Sequence, residues 1–232
     1  MRIAIVSDIH GNLLALEAVI ADLDTIRPDM VLHGGDLALG GPHPVEVVDL
    51  VRELGWPSVL GNTDEALGED PVALERRSVF VARAAARTRE MLGSERVEWL
   101  TGRPLEHRAG GIALVHAKPG DCWAIVEHDA ADDQLREVFG PLGAPIAAYG
   151  HIHHAYVRRL GGLTVVNSGS VSMSLHGDVR AAYAIIDDGH VEHRRIAYDV
   201  DRVASEMVAM DYPNAARYAA WLRSGSWPAQ QS

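Results

Sequence analysis

The chain has 232 residues and a single cysteine, Cys122, so it is long enough to bury a core and cannot form an internal disulfide or a Cys-based zinc cluster. Hydrophobic residues at 47% and charged residues at 23% are ordinary globular values and exclude extensive disorder. The net charge of −11 argues against long nucleic acid as a partner, because such proteins present basic faces to the phosphates. No apolar run approaches the roughly 20 residues that a bilayer demands. We therefore expect a soluble cytoplasmic protein that has no membrane partner.

Short apolar strands alternate with amphipathic helices in the first part of the chain. Apolar, β-branched runs predict strands at 2–7, 30–33 and 58–60. Asn12 is a suitable N-cap for a helix that ends before Pro28, and a second helix is predicted over 45–54. Strands and helices that alternate in this way are typical of βαβ units with a parallel sheet.

The remainder of the chain is predicted from the same patterns. We expect helices within 71–100, over 132–139 and within 203–222, and strands at 112–115 and 146–149. Alternating runs predict one antiparallel meander built from strands at 156–160, 163–167, 182–186 and 191–197. Because no linker or repeat interrupts the pattern, we expect one domain over 1–232, with a C-terminal helical segment at about 200–224.

Polar side chains follow five of the predicted strands, at the point where each strand ends. In open α/β sheets this carboxyl edge is where ligands bind. The separations from Asp8 to Asp36 and from Asp36 to Asn62 are each close to one βαβ repeat, so these side chains should meet in space. The side chains concerned are Asp8 and His10, Asp36, Asn62 with Thr63 and Asp64, His116, and His151 with His153.

Each of these short motifs is weak evidence by itself, because a helix cap, a turn or a core histidine explains it equally well. Together they supply two aspartates, one asparagine and four histidines, which are too many ligands for one ordinary metal site. Two ions that share Asp36 would use all seven. Mixed nitrogen and oxygen ligands without a thiolate suit Mn²⁺ above all here, with Fe²⁺, Co²⁺, Ni²⁺ or Zn²⁺ as alternatives. Two such ions, about 3.5–4 Å apart, clamp a phosphoryl group and activate a bridging water as the nucleophile.

The ordered motifs resemble those of the calcineurin-like metallophosphoesterase superfamily, and the size of the chain and the Asn167–Ser170 segment resemble its small prokaryotic phosphodiesterase branch. The resemblance implies a four-layer α/β/β/α sandwich of two mixed sheets flanked by helices. It also implies two divalent ions per chain. The first would be held by Asp8, His10, Asp36 and His153, and the second by Asp36, Asn62, His116 and His151.

The third motif departs from the superfamily pattern, because Thr63 stands where a histidine is common. That histidine contacts the phosphate and protonates the leaving group, and the acidic residue after it orients the ring. We assign catalytic roles to Asp36, Asn62, Thr63 and Asp64 on this resemblance, but the departure leaves the proton donor to the leaving group unassigned.

The leading hypothesis is a dinuclear phosphodiesterase that hydrolyses small phosphodiesters by attack of a metal-bridging hydroxide. A nucleotide or dinucleoside-polyphosphate hydrolase is one alternative. A non-catalytic interaction scaffold on the same fold is another, although loss of ligands would be its signature and all seven are present. The sequence leaves open the natural substrate, the physiological metal, and whether the chain is a monomer or a homo-oligomer, for which Trp221 and Trp227 are candidate contacts.

Overall fold

The computed structural model describes residues 1–228 and contains two mixed β-sheets. The first sheet has the strand order β2-β1-β8-β9 and the second has the order β3-β4-β5-β7-β6. Parallel pairing joins β1 to β2 and β5 to both β4 and β7, and the other pairs are antiparallel. The strands are β1 (Arg2–Val6), β2 (Met30–His33), β3 (Glu106–Ala109), β4 (Ile112–Val115), β5 (Ile146–Tyr149), β6 (Tyr156–Arg159), β7 (Thr164–Asn167), β8 (Ala181–Asp187) and β9 (His190–Ile196).

Eight α-helices and one short 3₁₀ helix, at Gly140–Leu142, accompany the sheets in residues 1–228. The predicted Asn12 cap is confirmed, since its side-chain oxygen accepts the Ala15 N–H at 3.1 Å. The α-helices are α1 (Leu13–Ile26), α2 (Pro44–Leu54), α3 (Asn62–Ala66), α4 (Pro71–Arg77), α5 (Val79–Thr101), α6 (Asp132–Phe139), α7 (Val200–Ala209) and α8 (Ala215–Ser224).

Alternation of side chains along the strands produces the layers. In β1, Ile3 and Ile5 pack between the two sheets, while Ala4 and Val6 pack against α1, α2 and the C-terminal helices. In β4, Leu114 likewise faces the first sheet. The β4 residues directly before and after it face the other side of their sheet, where they form a core with α6. The predicted α/β/β/α sandwich of two mixed sheets is confirmed.

Two predicted strand assignments are wrong. The segment at 58–60 forms only an isolated bridge between His33 and Ser58. The backbone N–H groups that would extend this pairing, those of Gly35 and Gly61, donate instead to the His33 ring and to the Asp64 carboxylate. The four strands predicted as one meander form two hairpins in different sheets, β6–β7 and β8–β9. Both hairpins carry the same alternating pattern, and only tertiary packing decides which sheet each one joins.

None of the helices in residues 1–228 combines the length and the apolar character that crossing a bilayer requires.

Candidate metal centre

The seven predicted ligands lie together where the carboxyl ends of the two sheets meet. Six of them end or follow four strands, and Asn62 is the first residue of α3. Asp8 and His10 follow β1, Asp36 follows β2, His116 follows β4, and His151 and His153 follow β5. The two sheets therefore each contribute ligands to one buried cluster.

Backbone hydrogen bonds tie the ligand-bearing loops to one another. The Asp8 N–H donates to the Gly35 carbonyl and the His10 N–H donates to the Asp36 carbonyl, both at 3.0 Å. On the second sheet, the Gly150 N–H donates to the His116 carbonyl at 2.9 Å. The Asn167 side-chain amide donates to the Gly150 carbonyl at 2.5 Å, so the Asn167–Ser170 segment supports the His151 loop.

Two of the motif glycines are needed because backbone and ligand approach closely. A Cβ atom at Gly61 would overlap the Asp36 carboxylate, and one at Gly150 would overlap the carboxylate of Asp8. Only glycine leaves room for both carboxylates to point into the cluster. The glycines before Asn62 and before His151 therefore place the ligands, in addition to forming turns.

Five of the seven predicted ligands have left-handed backbone conformations. Their φ angles, between +49° and +66°, are uncommon for residues that carry a Cβ atom. Such conformations persist only where the surrounding structure enforces them, and they cluster at functional sites. The five are Asp8, His10, Asp36, His151 and His153.

Three of the imidazoles are oriented in the same way. The Nδ1 atom of each lies 2.7 Å from a backbone carbonyl oxygen, which fixes Nδ1 as the N–H donor and leaves Nε2 with its lone pair directed into the cluster. Metal-ligating histidines are held by this kind of outer hydrogen bond. The pairs are His10 with Leu39, His116 with Gly34, and His153 with Met173.

The inward-facing atoms of the first group converge on a point that a cation would suit. The Nε2 atoms of His10 and His153 are 3.2 Å apart, yet in their neutral forms both are acceptors and cannot bond to each other. The His153 Nε2 atom is also 3.3 Å from a carboxylate oxygen of Asp8. Lone pairs that converge in this way fit a divalent metal ion.

The second group surrounds the Asn62 amide. The Asn62 Oδ1 atom lies 2.9 Å from His116 Nε2 and 2.9 Å from His151 Nδ1. Asp36 lies between the two groups, with Oδ2 at 3.6 Å from His10 Nε2 and Oδ1 at 3.6 Å from His116 Nε2. One carboxylate therefore faces both groups, as a bridging ligand must.

The electrostatics of the cluster favour the forms that bind metals. Burial disfavours the charge of Asp8, but the imidazoles around it, led by His153, outweigh burial and hold its pKa below the usual range. Burial also lowers the pKa of His151 to about 4, so that ring is neutral near pH 7. At His116 and His153 burial is outweighed by the Asp36 and Asp8 carboxylates, which raise the pKa of both rings, so a metal ion must displace protons there. Ionised carboxylates and neutral imidazoles are the states that coordinate metal ions.

Thr63 and Asp64 occupy different environments, although both were predicted to be catalytic. Thr63 lines a pocket beside the cluster, and its hydroxyl has no hydrogen-bond partner among the described residues. The Asp64 carboxylate faces away from the pocket and accepts backbone N–H groups of Asp36, Leu37 and Gly61 at 2.7, 3.0 and 3.2 Å. Burial and the Asp36 charge raise the pKa of Asp64 to about 7.

The sequence analysis missed most of the apolar residues that line this pocket of about 210 Å³. Apart from Leu39, which follows Asp36, they come from α5, from the segment after β7, and from α8 and the residues after it. From the sequence, Trp221 and Trp227 were considered as oligomer contacts, and Trp221 also as a residue that packs a terminal helix against the body. The main apolar lining is Leu39, Phe80, Val81, Met173, Leu175, Tyr218, Trp221 and Trp227.

Several known proteins are similar to this chain in sequence or in fold. An uncharacterised protein of Methanocaldococcus jannaschii is 29% identical over 235 residues, which cover 91% of this chain and 93% of that protein. A metallophosphoesterase structure from Sphaerobacter thermophilus is 30% identical, with a TM-score of 0.79 and coverage of 97% of this chain and 100% of that one. A symmetrical bis(5′-nucleosyl)-tetraphosphatase of Methylococcus capsulatus is 34% identical over 134 residues, covering 53% of this chain and 45% of that protein.

The family model for the calcineurin-like phosphoesterase superfamily domain matches residues 1–189, which contain every predicted ligand. With that match and the arrangement of the cluster, the chain belongs to the calcineurin-like phosphoesterase superfamily.

Proposed function

We propose that this chain is a dinuclear metal-dependent phosphodiesterase that hydrolyses small phosphodiesters and uses Mn²⁺. Membership of the superfamily indicates a hydrolase of phosphoric esters, and the choice of diester and of metal is our proposal. The observation that carries it is the position of Asp36, whose two carboxylate oxygens each face a separate group of histidines at 3.6 Å.

The ligands divide into two sets that share Asp36. Asp8, His10 and His153 would complete one set with it, and Asn62, His116 and His151 would complete the other. When bound, divalent ions supply positive charge to phosphoryl oxygens and lower the pKa of water. Nitrogen and oxygen donors without a thiolate suit Mn²⁺, and the same donors accept Fe²⁺, Co²⁺, Ni²⁺ or Zn²⁺.

The other residues of the site position the substrate and the ligands. The unpaired hydroxyl of Thr63 can donate a hydrogen bond to a phosphoryl oxygen in the adjoining pocket. Its backbone N–H donates to Asp36 Oδ1 at 2.9 Å and holds that carboxylate in place. Asp64 fixes the loop that carries Asp36, so its role is positioning.

The charge of the pocket supports a diester over a monoester. None of its lining residues is a lysine or an arginine, and these are the side chains that usually neutralise phosphate groups. A phosphodiester carries one negative charge at neutral pH, whereas a monoester carries nearly two. The net charge of −11 further disfavours highly anionic substrates.

Similarity to a tetraphosphatase makes dinucleoside-polyphosphate hydrolysis the second candidate. A polyphosphate chain would bring several more charges into a pocket whose lining, among the described residues, includes no lysine or arginine. We therefore rank it below the phosphodiesterase.

The test combines metal analysis with a substrate panel. Protein purified without chelators is assayed for bound metal, and then with Mn²⁺ against aryl diesters, cyclic nucleotides, monoesters and dinucleoside polyphosphates. We expect two ions per chain and the highest kcat/KM on a diester, and Asp36→Asn should lose at least one ion and nearly all turnover. A protein that refuses Mn²⁺ would indicate a scaffold, and preferred cleavage of a monoester or polyphosphate would overturn the choice of diester.

A further inference from the structure

The pocket beside the ligand cluster has one polar side and one aromatic side. Its polar side consists of metal-ligand candidates with Thr63. The opposite side is formed by an aromatic wall, which we define as Phe80, Tyr218, Trp221 and Trp227. A phosphoryl group at the cluster would therefore place one of its ester groups against aromatic rings.

The rings of the aromatic wall hold one another in fixed orientations. Trp227 packs edge-on against Trp221 at 4.5 Å between centroids and against Phe80 at 5.3 Å, and Phe80 contacts Tyr218 at 5.1 Å. The Arg217 guanidinium lies 4.4 Å from the Trp227 ring centre. Edge-to-face and cation–π contacts of this kind stabilise a ring's position before any ligand arrives.

Trp221 connects the aromatic wall to the metal cluster. Its ring is stacked on the His153 imidazole, with 5.8 Å between centroids and 17° between planes. Its Nε1–H donates to the Ser174 carbonyl at 2.7 Å, so its only polar group is already paired. It therefore offers a ligand an apolar ring and no hydrogen bond.

We propose that the aromatic wall determines substrate specificity by stacking with a flat aromatic ring on one ester group of the phosphodiester. This inference rests on the proposed phosphodiesterase function. A cavity of about 150 Å³ is enough to hold a benzene ring, and this pocket measures about 210 Å³. An aryl group and a nucleobase share the required chemistry, because both present a flat π face.

The experiment measures binding of phosphonates, whose P–C bond is not hydrolysed. Isothermal titration calorimetry with Mn²⁺ present gives Kd for phenylphosphonate, cyclohexylphosphonate, methylphosphonate and the methylene phosphonate analogue of uridine 5′-monophosphate. The variants are Phe80→Leu, Trp227→Leu and the conservative Trp227→Phe. Trp56→Leu is the matched control, because Trp56 lies in a groove beside α1 and α2, away from this pocket.

We expect phenylphosphonate to bind about tenfold more tightly than methylphosphonate, in line with measured base–aromatic stacking. Phe80→Leu and Trp227→Leu should bring that ratio close to one, while Trp227→Phe and Trp56→Leu should preserve it. Tighter binding of the uridine analogue would identify a nucleobase as the ring, and tighter binding of the phenyl compound would identify an aryl group.

The proposal is overturned if the phenyl and methyl compounds bind equally, or if the Leu variants leave their ratio unchanged. It is also overturned if cyclohexylphosphonate binds as tightly as phenylphosphonate, because apolar volume would then explain the preference without stacking. No turnover enters these measurements. Failure of the enzyme to hydrolyse any diester would therefore contradict the proposed function and leave the ring preference to be judged separately.

Discussion

At the scale of single residues, the chemistry turns on Thr63, whose hydroxyl is far too weak an acid to protonate a leaving group near neutral pH. General-acid catalysis typically accelerates a reaction about 10²–10⁴-fold, and basic leaving groups gain the most. The Asp64 carboxylate is held by three backbone N–H groups, so it does not face the Thr63 side chain as an orienting partner would.

We therefore expect kcat/KM to fall steeply as the pKa of the leaving group rises. Thr63→His should accelerate alkyl diesters more than aryl diesters, and Thr63→Val, which keeps the shape of the side chain, should leave the slope unchanged. The measurement is kcat/KM for diesters of graded leaving-group pKa. A shallow slope in the wild type would mean that another group already supplies the proton.

Asp64 gives a second prediction, which separates positioning from catalysis. In Asp64→Asn, one of the two carboxylate oxygens becomes an NH₂ group. At least one backbone N–H that donates to the carboxylate would then face another donor. Because a buried donor left without an acceptor costs about 1–3 kcal/mol, we expect the metal-free variant to lose about 2 kcal/mol of unfolding free energy. Urea denaturation of the chelated protein measures this free energy of unfolding. Asp133→Asn, at an exposed position, is the control. Unchanged stability would contradict the positioning role.

At the scale of elements, one ion pair connects α1 to the first sheet. The Arg194 guanidinium of β9 donates two hydrogen bonds to Asp22 of α1, at 2.7 and 2.9 Å, and the Tyr183 hydroxyl of β8 donates a third. These donors, led by Arg194, hold the pKa of Asp22 below its ordinary value of 3.8. The contact fixes the helix that follows the Asp8 loop against the strands behind it.

Because the folded pKa is depressed, the stability that Asp22 contributes is present above about pH 4 and is lost as the pH falls through the folded pKa. Asp22→Asn should therefore cost about 1–2 kcal/mol at pH 7 and less at pH 3. Denaturation at both pH values checks this, and Asp24→Asn on the same helix is the matched control. An equal loss at both pH values would show that charge is not responsible.

The elements also show which features of the molecule are encoded locally. The sequence predicted β1, β2, β4 and β5 correctly because each is a buried apolar run that ends in polar residues. It could not reveal β3, whose residues Glu-His-Arg-Ala have no apolar alternation and form a partly exposed edge strand. Local patterns identify a strand by its buried face, and an edge strand with little buried surface gives no such signal.

The candidate site was predicted in the same uneven way. Six of its seven ligands could be found because they follow recognisable strands, whereas the aromatic wall comes from Phe80 and from residues 218–227, which no motif connects to the ligands. The left-handed backbone of residues such as Asp36 and His151 also had no sequence signal, since neither is a glycine. Tertiary packing determines both features.

At the scale of the whole molecule, the metal site lies at one edge of cores that do not depend on it. The three hydrophobic clusters draw most of their residues from the sheets and helices and include none of the predicted ligands. The chain should therefore stay folded when its metals are removed, and binding should add stability by mass action.

We expect chelated protein to unfold cooperatively and its Tm to rise with Mn²⁺ concentration, by the equivalent of about 2.7 kcal/mol at one hundred times Kd. Differential scanning calorimetry of wild type and Asp36→Asn tests this. The variant, which lacks the shared ligand, should show a much smaller rise. Chelated protein without a thermal transition would contradict a fold that is independent of metal.

The left-handed ligands have a consequence for how this chain can evolve. A non-glycine residue in such a conformation carries about 1–3 kcal/mol of strain, and replacement by glycine would relieve it at Asp8, His10, Asp36, His151 or His153. Selection for thermostability and selection for metal binding therefore oppose each other at the same five codons. After a gene duplication, a copy that no longer has to bind metal should replace these five residues with glycine or asparagine early. Such replacements would spread by neutral drift and also because each one makes the folded protein more stable.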